Sequence, residues 1–206
     1  MKKLTLIVAS ILLQISLVNC QTKNDGVITY EVTPEFAKKI DKPEVHFKVD
    51  IPKSLHFDKP VEGKKTSSYG MVQKYDKDSI VTEMCSFGYI KIDGMSLDEQ
   101  GISFMKQIKN MLRSGGYKFE NSNLGLLDFD GKKRVGLQLI GEMEEGASPQ
   151  FIGKYRFNIT TRENPSGNTH IIFLMAAKDE DESLSYEDFK DKLTISKIWQ
   201  SFQYIK

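Results

Sequence analysis

One stretch decides the fold: SLDEQGISFMKQIKNMLRSGGYKFENSNLGLLDFDGKKRVGLQLI, residues 96–140. Its first part is an amphipathic helix with a start and a stop written into it. Ser96 and Glu99 have the spacing of a capping box, in which the serine hydroxyl accepts from the Glu99 N–H and the Glu99 carboxylate reaches back to the Ser96 N–H. Asp98 and Glu99 put negative charge in the first turn, where the helix dipole favours it. Gly101, Phe104, Met105, Ile108, Met111 and Leu112 then recur every three or four residues and so share one helix face. Lys106, Gln107, Lys109, Asn110 and Arg113 fall on the opposite face. Gly101 costs about 1 kcal/mol relative to alanine inside a helix, and close approach of the helix to a neighbouring backbone explains it. Gly115-Gly116 supplies the left-handed residue that ends many helices.

After the glycines the period changes from 3.6 to 2. Leu124–Phe129 and Arg134–Ile140 are apolar-rich runs separated by Asp130-Gly131, a strong hairpin signal. Val135, Leu137 and Leu139 sit two apart and give one buried strand face. A helix followed by antiparallel strands predicts an α+β layered domain rather than a parallel βαβ sheet.

The same two periods organise the rest of the chain. Upstream, Val27–Val32 alternates as a strand, and Pro34 opens a helical turn through Ile40. Val45, Phe47, Val49 and Ile51 alternate with polar residues up to Pro52, the pattern of a half-buried strand. Lys53–Ser68 is polar and rich in Lys, Gly and Pro, which reads as a long surface loop. Tyr69–Tyr75 and Ile80–Ile92 are strand-like runs joined by Asp76-Lys77-Asp78. Downstream, Glu142–Gln150 reads as an acidic loop. Phe151–Thr161 and Thr169–Ala177 form a long hairpin with its tip at residues 163–168. Ile171–Ala177 is apolar throughout, as expected of a strand in mid-sheet covered on both faces. Ser185 is placed to cap a second helix carrying Phe189, Leu193, Ile195, Ile198, Trp199 and Phe202. No repeat or linker divides residues 26–206, so a single domain is expected there.

Residues 1–20 have the form of a bacterial export signal. Met1-Lys2-Lys3 is followed by an apolar run, Leu4–Val18, of about 15 residues, short of the roughly 20 that a membrane span needs. Leu17-Val18-Asn19-Cys20 resembles a lipobox, which puts Cys20 forward as a lipid anchor. Cleavage after Cys20, with Val18 and Cys20 at the two specificity positions, is the competing reading. Both readings export the protein, with residues 21–25 as a polar tether. Cys85 is the other of the two cysteines. The exported chain therefore has no internal disulfide, and Cys85, in an apolar run without a neighbouring base, reads as a small core residue.

Charge excludes one class of partner. Twenty-nine lysines and arginines nearly balance 28 aspartates and glutamates, with no basic tract, which argues against nucleic acid. His46, His56 and His170 share no ligand spacing, so no metal is expected, and Asp76/Asp78 and Asp128/Asp130 fit turns better than calcium loops. Asp179–Glu182 reads as a solvated charge run. No nucleophile elbow, zinc-binding HExxH or phosphate-cradling loop is present, so neither a cofactor nor an active site is expected.

The order of elements resembles the PsbP-like α/β/α sandwich superfamily, and within it the DcrB-like bacterial envelope proteins. That superfamily also holds a photosystem II extrinsic subunit and a nuclear-transport factor that binds the GTPase Ran. The features that carry the resemblance are Phe47-x-Val49-x-Ile51-Pro52, the antiparallel meander, the helix from Ser96 to Arg113, and the ending Ile198-Trp199-Gln200-Ser201-Phe202. It implies a single-domain sandwich with a mainly antiparallel central sheet and helices packed on it. It also implies docking to larger assemblies rather than catalysis.

The expected function is therefore an exported envelope protein that acts as a non-catalytic accessory or binding module. Its candidate partner-binding loop carries Lys53, Lys59, Lys64 and Lys65, opposed in sign to the acidic segments, which would steer a charged partner. The alternative is a carrier of a small apolar ligand in a pocket lined by Phe104, Met105 and Ile108. A hydrolase comes third.

Overall fold

The apolar run Ile171–Ala177 lies at the centre of the molecule and feeds two cores at once. A computed structural model describes residues 26–94, 96–144 and 148–206. The leader with Cys20, the tether, and residues 145–147 of the acidic loop fall outside them. In chain order the elements are β1 (Val27–Val32), α1 (Pro34–Lys39), β2 (Phe47–Pro52), β3 (His56–Asp58), β4 (Met71–Tyr75) and β5 (Val81–Lys91). There follow α2 (Leu97–Ser114), β6 (Tyr117–Phe129), β7 (Lys132–Met143), β8 (Gly153–Arg162) and β9 (Thr169–Lys178). Two short helices, α3 (Asp188–Asp191) and α4 (Ser196–Ser201), and β10 (Gln203–Tyr204) complete the chain.

Seven strands form an antiparallel sheet in the order β3-β4-β5-β9-β8-β7-β6, with β9 in the middle. Because side chains alternate along a strand, Ile172, Leu174 and Ala176 face α2, where they pack with Met105, Val135 and Phe157. Ile171, Phe173, Met175 and Ala177 face the other way, toward Phe47, Phe87 and Trp199. That second face is covered by a separate three-stranded sheet, β1-β2-β10, together with α1, α3 and α4. The expected α+β sandwich is present, with the small sheet as an addition that the sequence did not announce. Its middle strand was legible: Val45, Phe47, Val49 and Ile51 are all buried.

The central unit forms as its sequence dictates. Ser96 Oγ accepts from the Glu99 N–H at 3.3 Å, and the Glu99 carboxylate accepts from the Ser96 N–H at 3.4 Å. Gly115 caps α2 with a right-handed φ of −78°, and Gly116 takes the left-handed conformation at φ 109°. Gly101 lies so near β7 that a Cβ there would stand 2.7 Å from Val135 Cγ1. Asp130 (φ 57°) and Gly131 (φ 69°) make the tight turn between β6 and β7, where two consecutive positive φ values match the twist of the flanking strands.

Four expectations need correction. Strand β6 begins at Tyr117, well before Leu124, and carries a bulge between Phe119 and Asn121. It is an edge strand with mostly exposed side chains, so beyond Tyr117 and Phe119, which pack under α2, residues 120–123 had no apolar alternation to display. Lys53–Ser68 is not loop throughout, because His56–Asp58 pairs with β4 at the far edge. The second helix is two short helices. Between them the carboxylate of buried Glu83 accepts from Thr194 Oγ1 and from the Ile195 N–H, each at 3.0 Å. Ser196 Oγ takes the Leu193 N–H at 3.1 Å. These side-chain acceptors hold backbone donors that a continuous helix would have used internally. Ser185 also has a different role from the one expected, since its N–H donates to Asp188 at 2.7 Å. Among the described residues no helix is long and apolar enough to cross a membrane.

Candidate functional site

On the face of the sheet turned away from α2, β7 and β8 present polar rather than apolar side chains. Gly136 stands opposite Thr160 and Gln138 opposite Asn158. Two residues beyond the Gly136–Thr160 rung, Arg134 and Arg162 lie near the strand ends on the same face. Their alternates Val135, Leu137 and Ile159 fill the core under α2. The polar set is nonetheless enclosed: Asn158 is 1% exposed, Thr160 2% and Arg134 7%.

Trp199, the only tryptophan of the chain, joins the two arginines. It comes from α4 and is packed edge-on against Phe129 and Phe173, with ring centroids 5.0 and 5.2 Å away. The Arg162 guanidinium carbon lies 3.6 Å from the indole centroid, and that of Arg134 lies 5.2 Å away. Arg162 Nη2 also donates to the Trp199 carbonyl at 2.7 Å. The indole Nε1 donates to Asp130 in the β6–β7 turn at 3.4 Å. A guanidinium on an indole face is attracted by the ring quadrupole, by about 0.5–2 kcal/mol.

The arginines are short of partners. Neither has a carboxylate within 4.0 Å among the described residues, whereas Arg156 on β8 is paired with Asp179 at 2.8 Å. Burial pushes the Arg162 guanidinium down to about 10, and the neighbouring charge of Arg134 adds to the effect. Burial also lowers Arg134, while Asp130 and Glu163 act in the opposite direction. Both stay charged at neutral pH. Five buried side-chain polar atoms lack a hydrogen-bond partner among the described residues. Four belong to this face: Nε of Arg134, Nε of Arg162, Nδ2 of Asn158 and Oγ1 of Thr160. Leaving such a group unpaired costs roughly 1–3 kcal/mol. Positive charge together with guanidinium N–H donors is the chemistry of oxyanion recognition, and the Trp199 face holds the two guanidinium groups in place. Sequence reasoning passed over Arg134, Arg162 and Trp199. The available signal was an arginine opening one strand-like run, Arg134, and one directly following another, Arg162, together with the only tryptophan.

The residues singled out from sequence are dispersed. Lys53, Lys59, Lys64 and Lys65 are all exposed. Lys59 covers the rings of Tyr30 and Phe36, 5.8 and 5.6 Å from their centroids, and Lys53 packs its alkyl chain beside Gly26. Phe104, Met105 and Ile108 do not line one pocket. Met105 and Ile108 are buried in the core, and only Phe104 borders an open depression of about 290 Å³, beside Tyr89 and Gln107.

Other candidates are satisfied locally. His46 contacts Glu31 at 2.6 Å and His56 contacts Asp58 at 3.0 Å. His170 Nδ1 accepts from the Asn164 N–H at 2.9 Å. No cluster of three metal-type ligands occurs among the described residues. The acidic run is not simply solvated: Asp179 is buried against Arg156, Glu180 pairs with Lys178 and Glu182 with Lys154. Asp76 Oδ1 accepts from the N–H groups of Asp78 and Ile80 and so serves a turn. Cys85 is fully buried, and burial pushes its thiol up, consistent with a core role. The other open groove, about 630 Å³, is bordered by Lys74, Glu83, Lys178 and Leu193. Its buried carboxylate, Glu83, is already engaged by Lys74, Thr194 and Ile195.

No family model matches the chain, and no curated protein does. Two solved structures with similar chain paths are the Saccharomyces cerevisiae Ran-binding protein Mog1p and a point mutant of Mog1. The first is 10% identical with a TM-score of 0.43, covering 86% of this chain and 96% of that one. The second is also 10% identical with a TM-score of 0.43, covering 87% of this chain and 97% of that one. The expected likeness to DcrB-like envelope proteins is corrected here: these two structures are Mog1 proteins, the first described as Ran-binding.

Proposed function

We propose that this chain is a non-catalytic binding module, exported to a bacterial cell envelope and docking there to a protein partner. The leader over residues 1–20 supports export, and Cys20, where lipidated, would tether the module to the membrane. The observation that carries docking is the Arg134–Trp199–Arg162 cluster. Tryptophan and arginine dominate the few residues that supply most interface energy, above all where they are already desolvated. Here the desolvation cost is met within the fold, and neither guanidinium has a carboxylate within 4.0 Å among the described residues. The carrier reading draws less support, because α2 and β7 close on each other at Gly101 and Val135 with no space for a methyl group.

The test is purification of the tagged full-length protein from its own host in mild detergent, with Arg134→Gln in parallel and quantitative mass spectrometry of both. The expected result is a reproducible protein partner with the parent chain that is depleted with the variant. Loss of a hot-spot contact of about 2 kcal/mol weakens binding roughly thirtyfold. The same partners at the same level with both chains would count against the cluster as the docking site. A bound lipid or small molecule with no protein partner would make the carrier the leading reading.

A further inference from the structure

The geometry points to the ligand class: we propose that Arg134 and Arg162 together bind a carboxylate carried by an acidic peptide segment of the partner. This rests on the docking reading and adds the chemistry that would be recognised.

Three observations carry it. Two largely buried cations on one sheet face, both against Trp199, repel each other, and neither has an ion-pair partner among the described residues. A fold that needed only packing there would be served better by an apolar side chain, since an uncompensated buried charge costs several kcal/mol. Next, the orphaned atoms on this face are mostly donors, the two guanidinium Nε–H groups and the Asn158 amide, with the Thr160 hydroxyl beside them. A planar guanidinium fork matches a planar carboxylate through two parallel N–H···O bonds.

The third observation is charge balance. Asp130 and Glu163 are near enough to act on Arg134, and Asp130 also acts on Arg162. Asp130 and Glu163 offset part of this positive charge from a distance without forming an ion pair with either guanidinium. A singly charged carboxylate is accommodated with little repulsion from Asp130 and Glu163, whereas a doubly charged phosphate meets more. The same balance disfavours the phosphate backbone of a nucleic acid or the headgroups of a lipid surface.

Trp199 provides the readout, because as the only tryptophan its fluorescence reports this site alone. The full chain in mild detergent is titrated with a hexaglutamate peptide, a hexaglutamine peptide and inorganic phosphate. The expected result is a saturable change in Trp199 emission with hexaglutamate, none with hexaglutamine, and a weaker response to phosphate. Arg134→Met should weaken the hexaglutamate response by roughly tenfold or more, equivalent to about 1.4 kcal/mol. A melting curve checks that this variant is folded. Should it fail to fold, Arg162→Lys, which keeps the charge but loses the fork, should weaken the response in the same direction.

No saturable response to hexaglutamate, an equal response in the variants, or saturation by phosphate at lower concentration would each overturn the assignment. A protein partner captured in an Arg134-dependent way without any hexaglutamate response would leave docking standing and remove only the carboxylate. Hexaglutamate binding with no partner captured would do the reverse.

Discussion

Gly101 of α2 and Val135 of β7 are in contact so close that a Cβ on the glycine would lie 2.7 Å from Val135 Cγ1. The approach sets the distance between the helix and the sheet and explains a residue that helix propensity alone disfavours. Gly101→Ala should therefore destabilise the protein by about 1–3 kcal/mol through overpacking, despite the roughly 1 kcal/mol that alanine contributes within a helix. Urea unfolding measures this as a lower midpoint at an unchanged slope. A raised midpoint would mean that the helix moves away at little cost.

Much of this architecture was legible because local and tertiary demands agree along α2, β2, β7 and β9. Capping box, glycine stop, period and turn all specify the same elements there. Legibility failed where a partner far along the chain decides the outcome. Thr194 and Ile195 read as helix interior, yet Glu83, more than a hundred residues earlier, captures their donors. Edge strand β6 lacks the burial that makes strands alternate. The candidate site was illegible for the same reason: Arg134, Arg162 and Trp199 lie on three elements, and only the sheet register together with α4 brings them onto one surface.

Glu83 joins β5 to the break between α3 and α4. Replacing it with Leu would leave the Ile195 N–H and Thr194 Oγ1 without their acceptor. A loss of roughly 3 kcal/mol is expected, counted from the buried N–H and hydroxyl rather than from the half-exposed Lys74. Hydrogen exchange at Ile195 should accelerate more than exchange in β9. Uniform acceleration across the sheet would show that the break is not held locally.

Alkaline stability has a defined sign. Burial raises the phenols of Tyr30, Tyr69, Tyr117, Tyr155 and Tyr204 above their ordinary value. The unfolded chain thus releases these protons first, and the stability they contribute is fully present below about pH 10 and lost as pH rises above it. Tyrosinate absorbance during a pH titration should show these phenols ionising only together with unfolding. Reversible ionisation of all eight tyrosines near pH 10 in the folded state would refute this.

His170 works in the opposite direction. Burial lowers its pKa, and its Nδ1 must be unprotonated to accept from the Asn164 N–H. Its contribution is present above the unfolded value of about 6.5 and is lost as pH falls through the lower folded value. Nuclear magnetic resonance of the Asn164 amide should report release of this bond in acid, ahead of changes in β8 and β9. An Asn164 amide unaffected while His170 titrates would rule the coupling out.

The central claim is that Arg134 is kept for binding and not for stability, and one comparison tests it most directly. Arg134→Met keeps most of the side-chain volume against Trp199 while removing a charge that repels Arg162. The account predicts an unfolding free energy equal to or above that of the parent, by up to about 1–4 kcal/mol, in a chain that no longer captures its partner. A loss of roughly 3–5 kcal/mol, the cost of breaking a compensated buried ion pair, would identify Arg134 as a structural residue and contradict the account.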